Sequence, residues 1–393
     1  MSTVTPAPAL PLVESDEHRM LRESVSAIAR SFGHAYFARV RAEGEPPAEL
    51  WKALASHGYL GVNLPEEYDG GGQGLVELAI VEEELSAAGC PLLPLMVSPG
   101  VAGTILTRHG TPEQKERWLR PLGTGAGHYA LAVTEPDAGS NSHKIATRAR
   151  RDGDRWLLRG TKTYISGVED AQAMLMLART SEPGPDGRAE LSMFMVEVDA
   201  PGMTRQPIPT VSEAPEQQWT LFLDDVAVPD DCLIGGQGAG LAAAFDGLNP
   251  ERILGAAVAN GIGRYALEKA SAYANERAVW GKPIGAHQGV SHPLAEAKIA
   301  LEAARLMTSK AAILHDAGAP AGEASNMAKL LAADAGALCL DRAIQAHGGN
   351  GLAMEYGLAD LWFIVRLMKI APVSREMVLN YVAQHALGLP RSY

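Results

Sequence analysis

Glu251 is the residue whose place in the sequence points most directly to chemistry. Residues 248–254, LNPERIL, open a long helical pattern. Asn249 is a favourable N-cap and Pro250 suits the first helical position, so we expect Glu251 in the first turn of a helix. An acid at that position commonly just complements the helix dipole. A chemical role for the Glu251 carboxylate therefore needs support from the rest of the chain.

A second candidate site is the segment 134–140, TEPDAGS. A predicted strand runs here into a turn that offers backbone N–H groups and the hydroxyl of Ser140. Such a turn either holds the polar edge of a ligand or satisfies its own hydrogen bonds. The sequence has no G-x-G-x-x-G between a strand and a helix, no P-loop, no H-E-x-x-H and no G-x-S-x-G. A nicotinamide-binding Rossmann unit is therefore not expected.

The composition is that of a globular protein of two or three domains, with 393 residues, 47% of them hydrophobic and 20% charged. The formal net charge of −12 and the lack of a Lys/Arg run argue against nucleic acid or an anionic membrane as a partner. The sequence contains no uninterrupted apolar stretch of about 18 residues, so we expect no membrane span. Cys90, Cys232 and Cys339 lack metal-site spacing and fit free thiols in a reducing compartment, so we expect no metal and a cytoplasmic location.

The first part of the chain has helical periodicity. The Pro/Ala-rich residues 1–15 predict a flexible tail rather than a signal peptide, and residues 16–123 predict an N-terminal α-helical domain. Residues 111–114, TPEQ, combine an N-cap, a first-position proline and a capping-box partner. In the helix predicted for residues 75–88, the three acids at 82–84 are expected on a solvated face, as acidic runs usually are.

From residue 124 the periodicity changes to that of strands. Six short segments rich in Val, Leu, Thr, Trp and Phe are predicted as strands, at 128–134, 146–150, 155–165, 171–178, 190–198 and 218–223. Asp152-Gly153 is a hairpin signal between two of them. We therefore predict a middle β domain, a small barrel or sandwich, over residues 124–235.

Residues 236–393 return to helical periodicity and predict a C-terminal α-helical domain. Long helices are expected from residue 249 and over 292–314, 324–346 and 375–387. Their alanine-rich faces favour a four-helix-bundle-like packing, and their spare apolar faces favour oligomerisation. The predicted fold class is therefore α+β and multidomain.

Four motifs, in their order along the chain, resemble those of the acyl-CoA dehydrogenase family. They are LAVTEPDAGS at 131–140, GTKTYIS at 160–166, RAVWGKPI at 277–284 with Gln288, and QAHGGNG at 345–351. The resemblance covers nearly the whole chain. It implies an FAD-dependent enzyme of lipid metabolism and fatty-acid β-oxidation. In this reaction an acyl-CoA thioester becomes the trans-2-enoyl thioester, with hydride transfer to flavin N5.

The resemblance also implies which residues of the first two motifs contact FAD. The matching positions are Leu131, Val133, Thr134, Gly139, Ser140, Tyr164 and Ser166. In this comparison Ser140 is close to the acyl thioester or to the flavin phosphates. Tyr164 and Ser166 stand where the family usually has Trp and Thr. They keep an aromatic face and a hydroxyl for the isoalloxazine ring and its N5 side.

The two later motifs imply a cofactor site that subunits share, and hence a homodimer or homotetramer. The matching positions are Arg277, Trp280, Gln288, Gln345, Gly348 and Gly349. Arg277 and Gln288 match residues that reach the diphosphate and adenine end of a neighbouring subunit's FAD, and Trp280 stands where Phe is commoner. The last three match a backbone cradle for the same cofactor, which needs bare N–H groups near phosphate.

The resemblance implies that Glu251 is the catalytic base. Many family members place a glutamate in the loop before the last helix, but Pro372 occupies that position here, and Glu376 matches an ordinary acidic position on the next helix. Isovaleryl-CoA dehydrogenase-like members instead carry the base on the central helix before an arginine, as Glu251 precedes Arg252. Arg252 then matches a residue near CoA. The family also polarises the thioester with a backbone N–H at the loop position; since proline has none, either the register shifts or one donor is missing.

The implied partners are an acyl-CoA substrate, which a carrier-protein thioester could replace, and electron-transferring flavoprotein as electron acceptor. Two alternative functions stay open. One is a flavin oxidase or monooxygenase on the same scaffold, which the retained Glu251 disfavours. The other is a non-catalytic, flavin-poor subunit of a mixed assembly, which the departures from the family pattern at Pro372, Tyr164 and Trp280 favour.

Overall fold

The structure, a computed structural model, describes residues 13–185, 187–211 and 214–392. Most of the predicted tail 1–15 lies outside the described residues. The chain divides into two compact units. The first unit combines the segment up to Glu45 with Gly74–Leu92 and the chain from Arg252 onward, and the second combines Pro46–Gln73 with Leu93–Glu251. The division into domains 16–123, 124–235 and 236–393 stays a prediction.

The helices lie before and after a β region, in the predicted order. Along the described chain they are α1 Asp16–Glu43, α2 Ala48–Ser56, α3 Leu75–Ala87, α4 Leu93–Leu95, a π-helical segment Met96–Ala102, α5 Gly103–His109, α6 Pro112–Gly123, α7 Gly240–Glu276, α8 Gln288–Asp316, α9 Gly322–His347, α10 Trp362–Leu367 and α11 Arg375–Tyr381. The predicted capping box at the start of α6 is confirmed. Thr111 Oγ1 accepts a hydrogen bond from Gln114 N at 3.3 Å, and Gln114 Oε1 accepts one from Thr111 N at 3.0 Å.

The second unit is built on a mixed eight-stranded sheet. Its strands are β1 Tyr129–Ala132, β2 Arg148–Asp152, β3 Arg155–Ser166, β4 Ala173–Arg179, β5 Leu191–Glu197, β6 Met203–Ile208, β7 Gln218–Pro229 and β8 Leu233–Ile234. The order is β6-β7-β3-β2-β4-β5-β8, and β1 pairs in parallel with β4. The hairpin predicted at Asp152-Gly153 joins β2 and β3, with Gly153 at φ 67°. β6 was not predicted because its side chains are mostly exposed and polar, which removes the alternating pattern.

In the first unit, α7, α8 and α9 pack closely, as predicted for the C-terminal helices, and α3, which was predicted in the N-terminal domain, packs with them. Small residues make this packing possible, since a Cβ on Gly261 would lie 2.4 Å from the Glu83 carbonyl oxygen of α3. A Cβ on Gly336 of α9 would lie 2.6 Å from the Ala259 carbonyl oxygen of α7. No helix among the described residues is both long enough and apolar enough to cross a membrane.

The predicted start of the central helix at Asn249 is wrong. α7 begins at Gly240, and Pro250 lies inside it. An interior proline removes one helical hydrogen bond and costs about 3 kcal/mol. Burial of the first turns offsets that cost, because Ala243 is fully buried and Gly247 sits so close to Ile105 that a Cβ would approach it to 2.8 Å. Tertiary packing therefore overrides the local cap signal.

The expectation of a solvated face for the acidic run 82–84 is also wrong. These side chains are 0%, 8% and 2% exposed. Glu83 Oε1 accepts hydrogen bonds from Arg305 Nε at 2.8 Å and Arg264 Nη1 at 2.9 Å, and Arg22 Nη1 lies 3.6 Å away. Three arginines from α1, α7 and α8 thus converge on α3. The acids are buried because distant parts of the chain supply their charge partners.

Candidate active site

The segment that follows β1 lies beside β3, which joins two motifs that are distant in sequence. Thr163 N donates a hydrogen bond to the carbonyl oxygen of Thr134 at 2.9 Å. Lys162 Nζ donates to the carbonyl oxygen of Val133 at 3.1 Å. Leu131 lies further back in β1, half-buried, where it pairs with Leu175 of β4. The structure thus brings Val133 and Thr134 next to the strand that carries Tyr164 and Ser166.

Tyr164 presents its ring outward from an irregular point of β3. The register against β7 shifts between Lys162 and Ile165, and Tyr164 has φ 56°, a left-handed conformation that is rare for a bulky residue. Such a bulge re-aims a side chain, and the Tyr164 residue is 63% exposed although its neighbours in β3 are buried. An exposed aromatic face on a rigid strand is a ready surface for a planar ring.

The hydroxyl of Ser166 is held by a residue that sequence reasoning missed. Gln218 Nε2 donates a hydrogen bond to Ser166 Oγ at 2.8 Å. The two residues face each other across the β3–β7 pairing. Because this contact joins strands about fifty residues apart, no local sequence signal could have identified Gln218.

The turn after Thr134 leaves space beside its backbone. Glu135 and Ala138 close the turn with reciprocal backbone hydrogen bonds of 3.2 and 3.1 Å. The next residues, Gly139 and Ser140, are exposed, and a Cβ on Gly139 would meet no atom within 4 Å. The turn therefore satisfies hydrogen bonds of its own at Glu135 and Ala138, and it leaves an open edge at Gly139 and Ser140.

In the first unit, Trp280 stands on a tight hairpin after α7. The strands β9 Ala278–Val279 and β10 Lys282–Pro283 pair directly, and Trp280 and Gly281 have φ 51° and 80°. Positive φ at both central residues is typical of a type I′ turn. Trp280 is 87% exposed, and the Arg277 and Gln288 side chains beside this hairpin are exposed as well. The hairpin thus displays a large aromatic side chain and two polar ones outward.

The glycine segment after α9 exposes its backbone. Gln345 lies in the last turn of α9, and Gly348 follows the helix with φ 61° and ψ −135°, a region that side chains with a Cβ rarely adopt. Gly348 and Gly349 are exposed, and a Cβ on either would meet no atom within 4 Å. No part of the described chain therefore fills the space next to these two residues.

A polar and aromatic cluster holds the glycine segment to the end of α7. Asn350 Nδ2 donates hydrogen bonds to the hydroxyl oxygens of Tyr273 at 3.1 Å and Tyr356 at 2.9 Å. The ring of Tyr273 stacks on His347 with 4.2 Å between centroids. Burial lowers the pKa of His347, although its hydrogen bond with the Ala343 carbonyl opposes this. The hairpin and the glycine segment are thus both anchored at Tyr273, since Arg277 N also donates to the Tyr273 carbonyl at 2.8 Å.

Glu251 and Arg252 lie inside α7 and are half-buried. Glu251 ends the second unit, and Arg252 begins the last segment of the first. Glu376 is exposed in the first turn of α11, after the N-cap Ser374. Pro372 lies in the loop before that helix. The helix-dipole explanation does not apply to Glu251, because the effect falls off within the first turn and α7 starts at Gly240.

The residues present fit the chemistry of FAD in each unit. In the second unit, the exposed ring of Tyr164 offers a stacking face, and Thr134 and Ser140 offer hydroxyls. In the first unit, Gly348 and Gly349 leave backbone N–H groups accessible next to open space, as phosphate binding requires.

Comparison with known proteins identifies the family. Models of the N-terminal, middle and C-terminal domains of acyl-CoA dehydrogenases match residues 15–126, 130–226 and 238–387. An acyl-CoA dehydrogenase of Mycobacterium tuberculosis is 51% identical over 383 residues, which cover 97% of this chain and 98% of that protein.

Solved structures agree with this family. A glutaryl-coenzyme A dehydrogenase in complex with glutaryl-CoA has a TM-score of 0.92 at 28% identity, covering 97% of this chain and 98% of that one. Glutaryl-CoA dehydrogenase from Mycobacterium smegmatis in complex with FADH2 has a TM-score of 0.89 at 26% identity, covering 97% and 96%. The resemblance inferred from the four motifs is thus confirmed. The chain belongs to the acyl-CoA dehydrogenase family and is an FAD-dependent enzyme that dehydrogenates an acyl-CoA thioester.

Proposed function

We propose that Glu251 is the base that removes the α-proton of the acyl thioester. The observation that carries this assignment is the position of a half-buried carboxylate in the interior of α7, directly before Arg252. Residues 369–374, which precede α11, include no acidic residue, and Glu376 is exposed in the first turn of that helix. A general base must be able to accept a proton and must lie within reach of it, and a proline cannot take that role.

The proposed chemistry breaks one C–H bond at the α-carbon and one at the β-carbon, and the two hydrogens go to different acceptors. The electron pair of the α C–H bond becomes the second bond of the C=C double bond. The Glu251 carboxylate takes the α-proton, so that one of its oxygens gains an O–H bond. The flavin, when bound, supplies the acceptor for the β-hydride. Loss of both hydrogens leaves the trans-2-enoyl thioester. The backbone of Glu251 belongs to a long helix, which fixes the carboxylate in place better than a mobile loop.

We further propose the cofactor and substrate contacts by residue. In the second unit they are Leu131, Val133, Thr134, Gly139, Ser140, Tyr164 and Ser166, and in the first unit Arg277, Trp280, Gln288, Gln345, Gly348 and Gly349. Ser140 and Arg252 also contact the acyl-CoA. The exposure of Tyr164, Trp280 and the glycine backbone supports these assignments, because each offers an uncovered surface of the kind FAD needs.

The glycine segment allows folding and cofactor binding to be separated. Gly348→Ala is expected to destabilise the protein without FAD by about 1–3 kcal/mol, because alanine is strained at φ 61° and ψ −135°. Gly349→Ala should leave that stability unchanged, since its φ is ordinary and its Cβ meets open space. It should still weaken FAD binding, because the new methyl group occupies the proposed cradle. Thermal unfolding and FAD titration of both variants check this, and wild-type FAD affinity of Gly349→Ala would contradict the cradle assignment.

We propose a cytoplasmic homodimer or homotetramer that passes electrons to electron-transferring flavoprotein and serves fatty-acid β-oxidation. The free, buried cysteines fit a reducing compartment. The exposed Trp280 and the exposed apolar residues Ile299 and Leu306, which are seven residues apart on one face of α8, support self-association, because exposed apolar patches mark protein–protein contacts. The division into three domains at residues 123 and 235 belongs to the same proposal.

Anaerobic mixing of the purified protein with a panel of acyl-CoA thioesters tests the reaction and identifies the acyl group. The panel contains short, long and branched acyl chains and a carrier-protein thioester. Bleaching of the flavin colour by at least one acyl-CoA is expected. A colourless protein that no added FAD colours would favour a partner subunit instead. Rapid reaction of the bleached flavin with oxygen would favour an oxidase.

A further inference from the structure

Glu135 and Lys162 form a buried ion pair within the second unit. Lys162 is fully buried, Glu135 is 5% exposed, and Lys162 Nζ lies 2.8 Å from Glu135 Oε1. Both residues belong to motifs of the sequence, but neither is among the proposed cofactor or substrate contacts. Removing two charges from water is costly, and well-packed apolar side chains would often stabilise a fold as well or better. The pair therefore calls for an explanation other than stability.

The pair is connected to the segment that leads from β1 into the open turn. Lys162 Nζ also donates to the carbonyl oxygen of Val133 at 3.1 Å. The Glu135 carboxylate accepts hydrogen bonds from Ala146 N at 2.7 Å and Thr147 N at 3.0 Å, in the chain before β2. One side-chain pair thus ties the end of the β1 segment both to β3 and to the segment that enters β2.

At neutral pH the pair remains charged in the folded protein, although burial lowers the pKa of Lys162 to about 8 and the Glu135 carboxylate only partly opposes this shift. Burial raises the pKa of Glu135, but the Lys162 ammonium and the donated hydrogen bonds outweigh burial and hold that pKa below its ordinary value. A charge-assisted hydrogen bond is stronger than a neutral one. The carbonyl group of Val133 is consequently fixed in one orientation, and the main chain of Thr134 is fixed with it through Thr163.

We propose that the Glu135–Lys162 pair positions the main chain of Val133 and Thr134 for FAD. The pair does not touch the cofactor; it acts through the backbone that it holds. This proposal adds a positioning pair to the proposed cofactor site, and it rests on the proposed assignment of Val133 and Thr134 as flavin contacts. It does not depend on the role of Glu251.

FAD titration of three variants tests the proposal, with the protein free of substrate. Lys162→Met and Glu135→Gln each leave one buried group without its partner, and both stability and FAD affinity should fall. The double variant Glu135→Gln/Lys162→Met removes the lone charge, so much of the thermal stability should return. Its dissociation constant for FAD should stay raised by about tenfold or more, because the hydrogen bond to Val133 is still missing.

Val226→Ala is the matched control for stability. Val226 is fully buried in β7 of the same sheet, where it pairs with Leu158, so alanine leaves a cavity and lowers the unfolding temperature without touching Val133. Its dissociation constant for FAD should equal that of the wild type. Recovery of FAD affinity together with stability in the double variant would overturn the positioning role, as would wild-type affinity in the single variants. The FAD dissociation constant of the double variant tests the positioning role even where a single variant fails to fold.

The two proposals fail in distinguishable ways. FAD affinity of the Glu135 and Lys162 variants, measured without substrate, reports on the positioning role and does not depend on Glu251. Loss of substrate-driven bleaching in a protein that binds FAD normally reports on Glu251. The visible spectrum of the bound flavin is a further readout. A flavin ring that shifts relative to Tyr164 changes the flavin absorption, whereas a loss of fold stability alone does not.

Discussion

Replacing Glu251 with glutamine is expected to lower the rate of acyl-CoA dehydrogenation by about 10²–10⁴-fold while FAD stays bound. Glutamine keeps the size and polarity of the side chain but does not accept the α-proton. The substitution should not disturb the helix start, because Glu251 lies inside α7, beyond the first turn. Steady-state turnover and the flavin content of the two purified proteins provide the comparison.

Glu376→Gln is the matched control for this prediction. Glu376 is exposed in the first turn of α11, close in sequence to the loop where many family members carry their base. Its turnover should stay near the wild-type value. A large loss in Glu376→Gln together with normal turnover in Glu251→Gln would move the base from α7 to the last helix.

Replacing Glu83 with glutamine is expected to destabilise the protein by about 3–5 kcal/mol, the range for breaking a buried ion pair by removing one partner. Glu83 accepts hydrogen bonds from Arg305 and Arg264 in the first unit, and it is buried. Without its charge, the converging arginines lose a shared counter-ion. Thermal unfolding at fixed protein and FAD concentrations measures the loss.

Glu43→Gln is the control, since Glu43 pairs with Arg39 at 2.9 Å but is 44% exposed. Exposed pairs contribute about 0–1 kcal/mol, so its unfolding temperature should hardly change. Equal losses in the two variants would contradict a special role for the buried network.

Lowering the pH should remove the difference in unfolding free energy between wild type and Glu83→Gln. Burial raises the pKa of Glu83, but Arg305, Arg22 and Arg264 together hold it below the ordinary value of 4.5. The stabilisation is thus fully present above pH 4.5 and is lost as the pH falls through the lower pKa of the folded state. Unfolding temperatures of both proteins over that acid range check the sign.

The sequence was sufficient for the features that depend on local patterns or on recognisable motifs. The capping box at Thr111 and the hairpin at Asp152-Gly153 depend on a few neighbouring residues, and both formed as predicted. The order of helices and strands follows from hydrophobic periodicity. The motifs identified the family because four of them occur in one order.

Features that depend on distant partners could not be predicted in this way. In the sequence, residues 82–84 resemble a solvated acidic run. In the fold, Arg22, Arg264 and Arg305 of other helices form ion pairs with these acids. The start of α7 followed burial at Ala243 rather than the cap signal at Asn249. In the candidate site, the hydrogen bond from Gln218 to Ser166 and the burial of Lys162 likewise arise only when strands pair.

The exchange of the substrate α-proton with deuterated water tests the central assignment most directly. An acyl-CoA whose β-methylene is replaced by sulfur cannot lose a β-hydride, so only removal of the α-proton remains. Mass spectrometry then follows deuterium uptake in the presence of FAD-loaded wild type, Glu251→Gln and Glu376→Gln. If Glu251 is the base, wild type and Glu376→Gln exchange the proton and Glu251→Gln does not. Undiminished exchange in Glu251→Gln would contradict the assignment.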